Sequence, residues 1–405
     1  MKKLIAGIVA VLLVFGVFTV WNQKNNPSPA SAASEKPAAV SAAPSAEPTP
    51  VPEIHGLDYE AIRALHGEDE TAIEVAGEKL DWGFYADFLR TNGMQYEDYF
   101  RQMAAYYGVA ADWAGSVGDG SGMNYAQGLL SETDDTLASF LSIHALAKEK
   151  GVTLDEEAAK KLEPEQMAKD ICGEDATVDQ LKEVLERDSY MTLDGFRFYS
   201  ESVALYSALY EALYGKTGEK LTDEEVIDAL EKDGYLAAHH ILFMTIDPMT
   251  GKELEADVVD EKLKQAEEIT KELRAIEDPE ELLKRFAELK EQYCEDTGKE
   301  AFPDGYTFTP GVMVKEFEDT VMALGEYEIS DPVKTSYGYH VIMRLPLSAD
   351  SKLSTATGTP MTARESVAQN AITAELDQYF QDHPAEYIEG LEELDLTQYI
   401  KGSAD

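Results

Sequence analysis

Leu236-Ala-Ala-His-His-Ile-Leu-Phe-Met-Thr-Ile246 is the point at which the hydrophobic period of this chain changes. Before it, apolar residues recur every three or four positions. Here they alternate, as in a strand, so His240, Leu242 and Met244 share one face and His239, Ile241 and Phe243 the other. Helical spacing then returns from Val258 to Ile276, and a second helix restarts at Pro279 and runs to Tyr293. A turn-rich segment from Cys294 to Gly311, with one loosely placed strand, leads to a short helix over Met313 to Leu324. Asp331 to Leu347 reads as two strands joined at Gly338. The order β-α-α-β-α-β-β predicts an α+β unit, one small antiparallel sheet covered by helices.

Upstream, Ile54 to Gly234 is mostly helical, with a short strand and turn at Ile73 to Glu78. Trp82 to Arg101 carries Phe84, Tyr85, Phe88, Leu89, Tyr96, Tyr99 and Phe100, an aromatic stripe that reads as core. Thr153-Leu-Asp-Glu156, Thr177-Val-Asp-Gln180 and Thr222-Asp-Glu-Glu225 each fit a capping box that opens a helix. Gly118, Gly120 and Gly122 lie in a loop that follows no strand, so they do not make a phosphate cradle. Downstream, Thr362 to Ile400 carries Val367, Ile372, Leu376, Tyr379 and Phe380 as an apolar side.

The 405 residues suffice for two or three domains. Lys and Arg number 34 against 78 Asp and Glu, a net charge of −44, which argues against bare nucleic acid as a partner. Cys172 and Cys294 are too few for a disulfide scaffold or a four-cysteine zinc site; a single pairing in an oxidising compartment stays open. Lys2 and Lys3 precede an uncharged apolar run from Leu4 to Trp21. Such a run is ~27 Å long as a helix, near the thickness of a bilayer core. It reads as a membrane anchor over residues 1–21 with the remainder outside, or as a cleaved signal. No cysteine follows it that could carry a lipid. Residues 22–53, rich in Pro, Ala and Ser, read as an extended tether.

Four blocks then carry a resemblance: Ala238-His-His-Ile-Leu242, Tyr293-Cys-Glu-Asp296, Phe308-Thr-Pro-Gly-Val-Met-Val-Lys-Glu-Phe-Glu-Asp319 and Asp331-Pro-Val-Lys-Thr-Ser-Tyr-Gly-Tyr-His-Val-Ile342. Their order and gaps resemble the parvulin family of peptidyl-prolyl isomerases over residues 235–347. The flanks are similar to extracytoplasmic foldases of the PrsA and SurA type. The resemblance implies a helical chaperone-like domain over 54–234 and a C-terminal segment, 348–405, packing on it, with Thr362 to Ile400 as its closing helix.

Position by position, the resemblance makes His240 and His340 the paired histidines of the active centre. Asp296 falls where the family has Cys or Asp, and Thr335 on the hydroxyl that joins the histidines. Phe308, Met313 and Phe317 fall on the apolar pocket for the proline ring. No cofactor or metal is implied. His239, on the opposite face, reads as a packing or surface residue. One departure stands out. Phe302-Pro-Asp-Gly-Tyr-Thr-Phe308 replaces the family's Gly-Gly-Asp-Leu-Gly turn, so an altered pocket rim is expected.

The function expected is a membrane-anchored, extracytoplasmic peptidyl-prolyl isomerase acting on unfolded secreted chains with Xaa-Pro bonds. The rival is a holdase chaperone whose parvulin unit is inactive. The acidity further suggests clients with basic segments.

Overall fold

The computed structural model describes residues 54–108, 112–118, 121–354 and 361–402. The expected membrane segment and tether, 1–53, lie outside the described residues. Among the described residues no helix is long and apolar enough to cross a membrane. The chain divides into two compact units, one of residues up to Ala212 with Thr373 onward, the other Leu213–Ile372.

In the first unit, α1 (Tyr59–Arg63) precedes a hairpin of β1 (Thr71–Val75) and β2 (Glu78–Asp81). Two 26-residue helices follow, α2 (Trp82–Tyr107) and α3 (Tyr125–Lys150). Asp81 caps the first by accepting from Phe84 N at 2.8 Å. Trp82, Tyr85, Phe88, Leu89 and Phe100 of the aromatic stripe are buried, whereas Tyr99 is exposed. Then come α4 (Glu156–Lys161), α5 (Pro164–Cys172), α6 (Val178–Ser189) and α7 (Leu193–Tyr214). Met167, Ala168, Leu181 and Leu185 join α5 to α6.

Thr177 forms the expected capping box with Gln180, but Thr153 does not cap α4. Asp155, two residues later, accepts from Ala158 N at 2.8 Å and begins the helix there. Its carboxylate is a better partner for the helix N-terminus than a hydroxyl. The hairpin also gains a third strand, β9 (Glu386–Tyr387), which pairs with β1 in the order β2-β1-β9.

The second unit opens with α8 (Asp223–Lys232), whose Thr222–Glu225 capping box is formed as expected. β3 (Leu236–Met244), α9 (Ala256–Leu273), α10 (Pro279–Tyr293), β4 (Tyr306–Phe308), α11 (Lys315–Ala323), β5 (Val333–Lys334) and β6 (Gly338–Leu345) follow. The sheet then continues past Leu347 through β7 (Lys352–Leu353) and β8 (Met361–Thr362). Its order is β5-β6-β3-β4-β7-β8. It is therefore mixed rather than wholly antiparallel as expected, because β7 pairs parallel to β4 at Thr307 and Leu353. Two-residue strands carry no alternation that a sequence could display.

The last helix, α12 (Ala363–Asp382), ends well short of the expected Ile400. Pro384 follows, and a residue before proline leaves the helical region. At its start Arg364 donates to Leu221 O at 2.6 Å and to Asp350 at 3.0 Å, and it pairs with Asp223.

β3 is buried along both faces. Ile241, Phe243, Val341 and Met343 pack with Ala266, Ile269 and Leu273 of α9 and Leu282, Phe286 and Leu289 of α10. Leu236, Ala238 and Ile342 pack instead with Phe308 and with Phe317 and Val321 of α11. The β3–β6 ladder ends at Gly338, opposite Met244. Its φ is +153°, and a Cβ there would lie 2.1 Å from Phe243 O. Gly338→Ala must therefore push the two strands apart. It is expected to cost about 2 kcal/mol or more and to speed hydrogen exchange at the Thr245 amide, which bonds Tyr337 O at 2.9 Å. Unchanged exchange there would contradict the tight approach.

Candidate active site

Register brings the two histidines together. His240 on β3 lies opposite Ile342, and His340 on β6 lies opposite Leu242. They are diagonal neighbours, a separation that long or aromatic side chains close. Their Nδ1 atoms are 3.2 Å apart, and His240 and His340 are only 8% and 4% exposed.

The chain after α10 delivers the carboxylate. Glu295 N donates to Leu242 O at 2.9 Å, and Leu242 N to Cys294 Sγ at 3.4 Å, so residues 294–296 run beside β3. Glu295 also accepts from Met244 N at 2.6 Å and pairs with Lys262 at 2.6 Å. Asp296, next in line, then reaches His240 Nε2 at 3.0 Å. It also caps a short 3-10 turn, Thr297–Glu300, by accepting from Gly298 N at 3.0 Å. The turn between β5 and β6 delivers the hydroxyl. Thr335 N bonds Gly338 O at 2.8 Å, its Oγ1 accepts from Tyr337 N at 3.1 Å, and the same oxygen lies 2.9 Å from His340 Nε2.

These four polar residues make one chain of hydrogen bonds, and chemistry sets its direction. Burial opposes the charge on Asp296, but donation from His240, Tyr306 and Gly298 N outweighs it and holds the carboxyl well below its usual range. An ionised carboxylate only accepts, so His240 Nε2 carries a proton. Burial, and the neighbouring His240, depress His340 from 6.5 to about 3, so it is neutral. In the uncharged form of the pair, His340 Nδ1–H donates to His240 Nδ1, and Thr335 O–H donates to His340 Nε2.

The apolar residues lie on the same side. Phe317 on α11 meets both imidazoles edge to face, with centroids 5.3 Å from His240 and 5.7 Å from His340. Phe308 sits behind it at 5.9 Å and is fully covered, so it forms the floor rather than an open wall. Met313 is half-buried at the edge of this cluster. Buried Glu318 holds its loop by accepting from Gly311 N and Met313 N, both at 2.8 Å.

Two residues here had escaped the sequence reading. Tyr306 donates to Asp296 Oδ2 at 2.5 Å. It stands two positions before Phe308 on the same strand face, and that spacing is the signal that could have found it. Lys290, buried on α10, donates to Phe302 O at 2.8 Å and Pro303 O at 2.9 Å and so pins the altered turn. That turn needs Gly305, whose φ is +102° and whose Cβ would lie 2.8 Å from Ala238 O.

His239 points the other way, stacks on Phe286 at 5.4 Å, and its titration is lowered from 6.5 to about 3 by burial first and then by the Lys290 ammonium. Cys294 is buried and Cys172 exposed, and both are free.

Residues 240–345 match the family model of the PPIC-type PPIASE domain, or rotamase, and so form a parvulin domain. The chain is 55% identical over 60 residues to foldase protein PrsA 1 of Bacillus cereus, covering 15% of this chain and 21% of that protein. It is 35% identical over 163 residues to foldase protein PrsA of a Geobacillus species, covering 34% and 50%. The matched segments thus span about a fifth to a half of these relatives' own length. Among solved structures it is similar to a PrsA peptidylprolyl isomerase from Bacillus cereus, at 21% identity over 78% of this chain and 87% of that one, with a TM-score of 0.24.

The two depressed imidazoles fix the sign of a pH effect. An unfolded histidine titrates near 6.5, so between about 6.5 and 3 the unfolded chain binds more protons than the folded one. Stability is then full above this window and falls as pH drops through it, by up to about 1.4 kcal/mol per pH unit for each imidazole. Urea titrations followed by histidine ring resonances are expected to show this slope, with His239→Leu halving it. A midpoint constant from pH 7 to 4 would contradict the burial of both rings in neutral form.

Proposed function

We propose that this chain, whose residues 240–345 are a parvulin domain, is a peptidyl-prolyl cis/trans isomerase with His240, Asp296, Thr335 and His340 as its polar centre. Phe308, Met313 and Phe317 then receive the proline ring. The observation that carries the reading is the continuous hydrogen-bonded line from Thr335 through both histidines to Asp296, edged by Phe317.

Rotation about the Xaa-Pro bond faces a barrier of ~18–20 kcal/mol, because the C–N bond is partly double. No bond has to break. A dry apolar seat destabilises the polar, planar amide relative to the twisted one, in which conjugation is lost. Side chains with fixed donor directions then favour the twisted geometry without reorganising. The directed network suits this. Asp296 fixes His240, His240 fixes His340, and the neutral His340 carries no charge that would bind the planar carbonyl too well.

Names of the relatives, all foldases, support a role in folding other polypeptides. The apolar run at residues 4–21 and the tether behind it support anchoring to a membrane with the folded units outside the cytoplasm. The net charge of −44 favours clients with basic segments.

One observation favours the rival reading of an inactive, client-holding unit: Phe308 is fully covered and Phe317 nearly so. The assay that separates the two follows isomerisation of an Xaa-Pro peptide. The chain is expected to accelerate it, with His240→Ala and Asp296→Ala each reducing kcat/KM at least about tenfold. No acceleration, together with suppression of client aggregation, would favour the rival. Full activity in both variants would remove the assigned centre.

A further inference from the structure

Asp296 has more donors than the histidine relay requires. Oδ1 accepts from Gly298 N at 3.0 Å. Oδ2 accepts from two side chains at once, His240 Nε2 at 3.0 Å and Tyr306 Oη at 2.5 Å. The tyrosine contact is the shorter, as expected for a hydroxyl on a carboxylate, a charge-assisted bond. Tyr306 is 8% exposed and held on both sides. Its backbone pairs with Ala238 on β3, and its ring lies 4.7 Å from Phe302 and 5.3 Å from His240. The hydroxyl therefore has one place to go.

We propose that Tyr306 is a positioning residue: by sharing Asp296 Oδ2 with His240, its hydroxyl draws charge from the carboxylate and sets how readily the histidine pair takes up a proton. The physics is a competition for one oxygen. A carboxylate that faced His240 alone would put its full charge on that imidazole and favour the imidazolium. Tyr306 takes part of that charge, so the pair keeps its neutral, directed form to lower pH. An imidazolium would reverse the line, since a doubly protonated His240 donates from Nδ1 and forces His340 into its Nε2–H tautomer.

The other groups around the pair do not provide this control. From α10 and the turn after it come Cys294, whose thiol burial pushes up, and Lys290 and Lys299, which donate to Phe302 O and Pro303 O and to Cys294 O. α11 presents the apolar Phe317. Thr335, in the turn before β6, bonds His340. His239 lies on the opposite face of β3. Tyr306 is the neighbour that touches the carboxylate oxygen His240 uses.

The test uses the full chain with labelled histidine rings. The seven histidines make the titration readable by NMR. Tyr306→Phe keeps the ring and removes the hydroxyl. It is expected to raise the pH at which the His240–His340 pair takes up its first proton by about 0.5–1 unit, the loss of one charge-assisted hydrogen bond. Replacing Tyr306 by 3-fluorotyrosine, a stronger donor, is expected to move the same step down. A merely structural role would not produce shifts of opposite sign. No shift in either variant, or shifts in the same direction, would overturn the proposal, and the 3-fluorotyrosine protein keeps it testable should Tyr306→Phe fail to fold.

The inference rests on the isomerase reading only for its effect on rate, where the acid limb of kcat/KM should move with the titration. If the titration moves and the chain has no isomerase activity, the functional reading fails and the role of Tyr306 stands. If the chain isomerises and the titration stays still, the reverse holds.

Discussion

Eight residue pairs lock β3 against β6, from Ala237 opposite Leu345 to Met244 opposite Gly338, and the site depends on that register. Side chains alternate along a strand, so a slip of one residue would send His240 and His340 to opposite faces. The apolar pattern forbids the slip. Ile241, Phe243, Val341 and Met343 belong to the core with α9 and α10, and Ile342 to the core with α11. Moving either strand by one position would expose one set and bury polar groups in its place. Gly338 adds a steric stop at the end of the ladder, where the strands come too close for a side chain.

Burial on both faces then gives the site its electrical character. Charged imidazoles are disfavoured there, and every polar atom of the relay must find a partner within the site. Cys294 and Glu295 meet that demand by bonding to Leu242 of β3, so Asp296 follows directly on a residue whose backbone is already held there. Lys290 plays a similar part for the altered turn, satisfying two carbonyls that the chain would otherwise leave facing the protein. Tyr306 comes from that turn, and Asp296 connects it to the histidines.

What could be read beforehand follows from which interactions are local. β3, α9, α10 and β6 have strong periods and clear stops, and their positions were legible to within two or three residues. His240, Asp296, Thr335 and His340 were legible only as a set, through a resemblance spread over four blocks; the structure brings all four within hydrogen-bonding distance in sequence along one line. β9 and the parallel β7 were not legible, because two residues have no period and their partners are far off in the chain. Thr153 misled because a nearby Asp155 makes the better cap. Tyr306 and Lys290 were missed for a different reason: each acts on a partner ten or more residues away through one polar atom, and the local pattern offers only the two-residue spacing of Tyr306 from Phe308.

In its uncharged form the histidine pair gives the line a direction, with protons running from Thr335 through His340 and His240 to an ionised Asp296. Ring nitrogen chemical shifts of the two histidines at pH 7 measure it directly, because protonated and bare imidazole nitrogens differ widely in shift. The result predicted is a bare Nδ1 and protonated Nε2 on His240, with protonated Nδ1 and bare Nε2 on His340. The opposite assignment on His340, or an imidazolium at either position, would contradict it.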